Sequence, residues 1–491
     1  MNSQINKREV IKIKRNKTLS GLMSLFILTV CMGCSGTPQS KPVLKWLVPG
    51  QRSNEFDLVE RKINEITEKK LGVGVKFDFV PSEYDYANRI NAKIESGEEF
   101  DLFFTGWIDL YNLKVYDSYF TDLDALLEYA PKLKKEIPEY LWEGTKINGK
   151  TYTVPNQQIS ASSTAVIFDK NLVDKYNFDI SAVRSTYDIE PFLKAVKENE
   201  TDVYPVRMNW GYKGFGSLDD NIHAEMTVGT IDIVNENGVI SAKKLTERKD
   251  VYKAAKTIYD WYNKGYIRKD AAVAIDSADE LAAGKYAVWF EAYKPGVERQ
   301  RKMMTGNDVY AVQVTEPYMT TNSVQGAMTA ISANSKYPID SLKLLELVNT
   351  EPDILNLLTY GIEGKHYEKL SDNVVRRNGN SFSYNTWLFG NQFIIYTDSE
   401  QDSDVWEETK RINTSSVKSP LFGWLPDDSG IKDKMNSCTE VGAKYTLISN
   451  GTADPETYWE KYDRELDGAG AEVIKRELER QIKEFLAKNE K

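Results

Sequence analysis

Three short stretches set flat aromatic side chains beside groups that make hydrogen bonds. Thr105-Gly106-Trp107 stands two residues before Asp109. Asn209-Trp210-Gly211-Tyr212 runs into the glycine-rich Lys213-Gly214-Phe215-Gly216, and Trp289-Phe290-Glu291-Ala292-Tyr293 joins an indole, an acid and a phenol. With 10 Trp and 28 Tyr, the chain holds more aromatic rings than a core of its size needs, which gives these stretches weight. The chemistry they suit is non-covalent recognition. Ring faces offer apolar area at small entropic cost, while amides and carboxylates fix orientation, so the matching ligand has C–H faces and hydroxyl edges. Trp107, Trp210, Tyr212, Trp289 and Glu291 are therefore candidate ligand contacts, and Gln51, Asn156 and Gln157 add polar groups at the ends of strands. Each has a plainer alternative: an indole packed in a core, or an amide that satisfies a turn. Trp46, inside a strand, reads as core, and Trp387, Phe389 and Asn391 read as packing within the C-terminal segment.

Signals for bond-making chemistry are poor. The chain has no G-x-S-x-G elbow, H-E-x-x-H, phosphate-binding loop or C-x-x-C. His223 and His366 are far apart and read as structural histidines, and Cys438 reads as a structural thiol. The phrase GYKGFG lacks the strand-to-helix setting of a dinucleotide loop, and Asp427-Asp428 and Glu407-Glu408 read as solvated faces without calcium-loop spacing. No catalytic residue, metal or cofactor is expected. The net charge of −10 argues against nucleic acid as a partner.

The elements that must position these residues begin after an apolar run. Leu19 to Cys34 reads LSGLMSLFILTVCMGC and follows a leader with Lys7, Arg8, Lys12, Lys14, Arg15 and Lys17 against Glu9. It is shorter than the ~20 apolar residues of a spanning helix, and its layout is that of a secretory signal peptide. Ending on Met32-Gly33-Cys34, it resembles a bacterial lipoprotein signal, with Cys31 where Leu is usual. That resemblance implies cleavage of residues 1–33, a lipid on Cys34, and a protein held at the outer face of the cell membrane. An ordinary signal peptide or an uncleaved anchor is the alternative. Cleavage takes the net charge to about −15. Residues 34–41 read as a flexible tether.

Beyond the tether, Val43–Val48, Val73–Val80 and Phe100–Phe104 read as strands, separated by helices carrying Phe56, Val59, Ile63, Ile66 and Tyr86, Ile90, Ile94. Alternating strands and helices predict an α/β fold with a parallel sheet, whose ligand crevice lies beyond the strands' carboxyl ends. Asn148-Gly149 predicts a hairpin turn, Thr164–Phe168 a strand, Asp169 a helix cap, and Val251–Gly265 and Glu472–Lys488 helices.

The phrases SGEEFDLFFTGW, TDLDALLEYAPKL, WEGTKINGKTYTVPNQQ, LTYGIEGKHYEKL and TWLFGNQF resemble the family 1 extracellular solute-binding proteins, receptors of ABC importers, in a subgroup with an extra C-terminal domain. The resemblance implies a two-lobe, periplasmic-binding-protein-like fold of type II, with crossing hinge strands and closure on a ligand. The expected boundaries are 42–157 with 286–329 for lobe 1, and 158–285 with 330–491 for lobe 2. Leu281–Phe290 is expected to return to lobe 1. The implied function is capture of a carbohydrate, an oligosaccharide, by a monomer that delivers it to the permease. A peptide or other solute is the first alternative, and an exported carbohydrate-active enzyme the second.

Overall fold

Seven residues with four fully buried apolar side chains form the first strand, β1 (Val43–Pro49). The computed structural model describes residues 41–81, 83–106, 118–208, 222–274, 278–379, 382 and 384–489. Helix α1 (Phe56–Leu71) follows, burying Phe56, Val59 and Ile63 and ending on Gly72 in the left-handed region. Then come β2 (Gly74–Val80), α2 (Glu83–Glu95) and β3 (Leu102–Gly106). Strand β1 pairs in parallel with both β2 and β3, as alternating strands and helices require. Trp46 fills the layer beneath, 5.5 Å from Phe77 and 5.7 Å from Phe389.

A turn at Asn148-Gly149, both with positive φ, closes the Ile147–Lys150 bridge before β4 (Thr153–Pro155). The chain then crosses to a second sheet at β5 (Thr164–Asp169). Asp169 caps the helix that follows, accepting from the Leu172 N–H at 3.0 Å. After β6 (Tyr204–Val206) comes an antiparallel meander, β7 (Ile222–Val228), β8 (Ile231–Glu236) and β9 (Val239–Lys244). Helix α3 (Lys249–Asn263) leads towards β10 (Tyr286–Ala292), α4 (Val297–Thr305) and β11 (Val309–Gln313). The second sheet runs β11-β5-β10-β6.

The chain recrosses through β12 (Tyr318–Met319) to β13 (Ala327–Ile331), which lies antiparallel between β3 and β4 in a first sheet ordered β2-β1-β3-β13-β4. Helices α5 (Pro338–Thr350) and α6 (Pro352–Tyr360) pack against α1, and the core of this lobe extends to Ile412. A third crossing runs beside β12: Tyr318 pairs with Ser162 on one side and Val417 on the other. The remaining helices, ending with Ala471–Asn489, join the meander in a separate core built on Ala471, Ile474, Leu478 and Ile482.

Two expected assignments are corrected. Tyr286–Ala292 does not return to the first sheet; it lies between β5 and β6 in the second, and of residues 286–329 only β13 pairs in the first. Residues 338–412, expected in lobe 2, contribute to the core of lobe 1. The cause is common to both. A strand or helix buried on nearly every side shows its burial in its sequence, but not which sheet covers it.

Gly106 ends β3 with φ +148°, and a Cβ there would stand 2.4 Å from the Gly326 carbonyl oxygen. Gly106→Ala is expected to cost about 1–3 kcal/mol or more, read as a lowered midpoint in thermal unfolding.

Candidate functional site

Where the first lobe meets α4, a cavity of about 410 Å³ opens. One wall comes from the loop after β1, with Gln51 and Ser53, and from Tyr360, Arg377, Tyr384 and Trp387. The facing wall is the start of α4, with Lys294, Gly296, Arg299 and Gln300, and Ile159 in the first crossing lies between them. The Tyr384 hydroxyl donates to the Gln51 carbonyl at 3.0 Å and accepts from the Ser53 N–H at 2.7 Å, which pins the loop to the cavity wall. His366 pins it again. Its Nδ1 accepts from the Ile362 N–H at 2.9 Å, which leaves Nε2 to donate to Glu55 at 2.6 Å.

Across the cavity, Asp398 holds two guanidiniums. Its Oδ2 lies 3.1 Å from Arg299 Nη2 and 3.0 Å from Arg377 Nε. Arg377 also donates to the Thr359 and Phe382 carbonyls and lies 4.3 Å over the Tyr360 ring, while Arg299 reaches Glu400 at 2.7 Å. Burial pulls the Arg377 guanidinium down from its ordinary value, against the pull of Tyr360 and Asp398. This cluster ties α4, on the second sheet, to the segment packed on the first. Lys294 has no such partner. Enclosure, with Arg301 nearby, pushes its ammonium down to about 8.

Gln51 lines the cavity. Asn156 and Gln157 are buried behind it: Asn156 Nδ2 donates to the Trp387 carbonyl at 2.8 Å, and the Gln157 carbonyl accepts from the Gln392 N–H at 2.9 Å. They hold a wall that contains Trp387 and Gln392. Trp289 and Glu291 do not line this cavity. The Trp289 indole donates to Glu291 Oε1 at 2.6 Å, Arg301 Nε donates to Oε2 at 2.6 Å, and Trp289 packs with Tyr286, Val297 and Val309. Trp107, Trp210, Tyr212 and Cys34 lie outside the described residues. Arg52, beside Gln51, is taken by Glu60 at 2.9 Å and Asp57 at 2.6 Å. Trp387, read from sequence as packing, is half-buried and lines the cavity, with its ring edge-on to Phe104 at 5.7 Å. Phe389 and Asn391 are buried, Phe389 against Trp46 and Asn391 against the Asn349 carbonyl. Lys294, Arg299, Arg377 and Asp398 were missed; only the Pro295-Gly296 break before a helix marked their neighbourhood.

No group of His, Cys, Asp and Glu among the described residues is arranged to hold a metal ion, and none of their helices is long and apolar enough to cross a membrane. The arrangement offers a half-buried indole, several amides and cations, and two walls on different sheets. It can enclose a polar ligand and hold it from both sides.

Residues 420–487 match a family model described as a domain of unknown function (DUF3502). A carbohydrate ABC transporter substrate-binding protein of Streptococcus pneumoniae serotype 4 is 29% identical over 464 residues, 92% of this chain and 92% of the relative. The crystal structure of the N-glycan transport solute binding protein NgtS from Streptococcus pneumoniae is similar with a TM-score of 0.83 at 28% identity, over 92% of this chain and 100% of that one. The same protein in complex with Man1GlcNAc gives a TM-score of 0.79 at 27% identity, over 91% and 100%. Two sheets joined by crossing strands, a cavity walled from both, and likeness along nearly the whole length lead to one conclusion: the chain is similar, in sequence and in its two-lobe fold, to the substrate-binding proteins of carbohydrate ABC transporters.

Proposed function

We propose that this protein captures an oligosaccharide outside the cell and hands it to the membrane subunits of an ABC importer, with a lipid on Cys34 holding it to the membrane. The observation that carries the reading is the cavity itself: Trp387 offers a ring face while Gln51, Lys294 and Gln300 offer polar groups from both lobes. A ligand touching both walls favours the closed arrangement, because only there are all contacts made. The relatives' carbohydrate ligands support the same class. Asp398 is the only carboxylate on the described cavity wall and is held by two arginines, whereas glycoside hydrolysis uses a pair; this supports capture without cleavage. Calorimetry with neutral and acidic oligosaccharides tests the reading. Saturable binding of at least one is expected, and binding of peptides with no saccharide bound would overturn it. For the anchor, the expected result is a membrane-bound protein that Cys34→Ser releases into the medium.

A further inference from the structure

The cavity wall at the start of α4 carries more positive charge than its surroundings balance. Among the described residues, Lys294, Arg299 and Arg377 line it against a single carboxylate, Asp398, in a chain whose net charge is −10. Asp398 is shared by the two arginines, and the Lys294 ammonium has no hydrogen-bond or ion-pair partner among the described residues. The nearest acid on its own segment, Glu291, is already taken by Trp289 and Arg301. Glu298, on α4, instead accepts from the backbone N–H of Ala311 and from its own. Arg299 is only 9% exposed; its Nη atoms reach Asp398 and Glu400, yet its Nε is buried without an acceptor. Nine-residue α4 starts from Gly296, which has no side chain to cap it, so its positive end also faces this wall. A half-buried cation without a counter-charge is costly, and hydroxyl oxygens accept its hydrogen bonds without balancing its charge.

We propose that the saccharide taken by this cleft carries a carboxylate, seated at the start of α4 against Lys294 and the free edge of Arg299. The proposal rests on the oligosaccharide reading above and narrows it to acidic sugars. A carboxylate accepts from both cations and completes the ring of charge around Asp398. Two kinds of sugar supply one, a hexuronate and a sialic acid.

Calorimetry on the purified protein with trigalacturonate, sialyllactose and neutral mannotriose separates them. At least one acidic saccharide is expected to bind about tenfold tighter than mannotriose; which of the two does so identifies the source. Lys294→Gln is expected to weaken the acidic ligand about tenfold, well beyond its effect on mannotriose, while Lys294→Arg retains acidic binding. Mannotriose binding as tightly as both acids, or Lys294→Gln weakening acidic and neutral ligands equally, overturns the proposal and leaves the oligosaccharide reading standing. Binding of none of the three, together with binding of peptides, overturns both.

Discussion

Asp398→Ala is expected to cost about 3–5 kcal/mol of stability, because it leaves two enclosed guanidiniums without their shared counter-charge. Asp398 is 3% exposed, and its Oδ2 sits 3.1 Å from Arg299 and 3.0 Å from Arg377. Arg377, on the cavity wall with its side chain 7% exposed, is held there by the Thr359 and Phe382 carbonyls. Arg299 retains Glu400, an exposed partner of small worth, so most of the loss falls on Arg377. The penalty comes from breaking the cluster, and replacing all three members by apolar residues of similar volume is expected to cost far less. Denaturant unfolding of Asp398→Ala beside an Arg299→Met/Arg377→Met/Asp398→Leu variant measures the contrast. Equal losses in the two would remove the charge-pairing argument.

Trp387→Ala is expected to weaken oligosaccharide binding by about 2 kcal/mol, roughly thirtyfold, with a much smaller effect on folding. The indole is half-buried in the cavity wall, with its ring edge-on to Phe104, and offers apolar area on which a sugar ring can stack. Its backbone carbonyl is held by Asn156, which places the ring without using it. Calorimetry of the variant, with its thermal midpoint as a control, reads both quantities. Unchanged affinity would move the binding surface away from this wall.

Local structure was legible wherever one residue type has one physical use. Asn148-Gly149 makes a turn with two positive φ angles, Asp169 caps the helix it precedes, and the alternation around Trp46 makes a buried strand. The first three strands and their helices fall into a parallel arrangement because their crossovers leave no other short connection. The sheet that Tyr286–Ala292 joins was not legible, since six of its seven residues are buried and any sheet would cover them equally well. The candidate site was legible only in part, for a related reason. Gln51 stands at a strand end, where crevices form, whereas Arg299 and Asp398 meet from positions about a hundred residues apart and carry no local signature of the meeting. Trp289 had the composition of a contact residue, but its indole and Glu291 satisfy each other within the second lobe. Trp387 had the composition of packing, and half of it is on the cavity wall.

Capture as proposed requires the two lobes to shut on a saccharide held between them. Lys62, on α1, and Lys194, on the helix Glu190–Asn199 of the second lobe, are both exposed and take cysteine without loss of packing; Cys438 is buried and does not compete for label. With spin labels at those two positions, and Cys31 and Cys34 changed to Ser, pulsed electron–electron resonance gives the distance between lobes directly. A single distribution that shortens and narrows on saturation with the bound oligosaccharide is the predicted result. A distribution unchanged by a saccharide that calorimetry shows to be bound would contradict it.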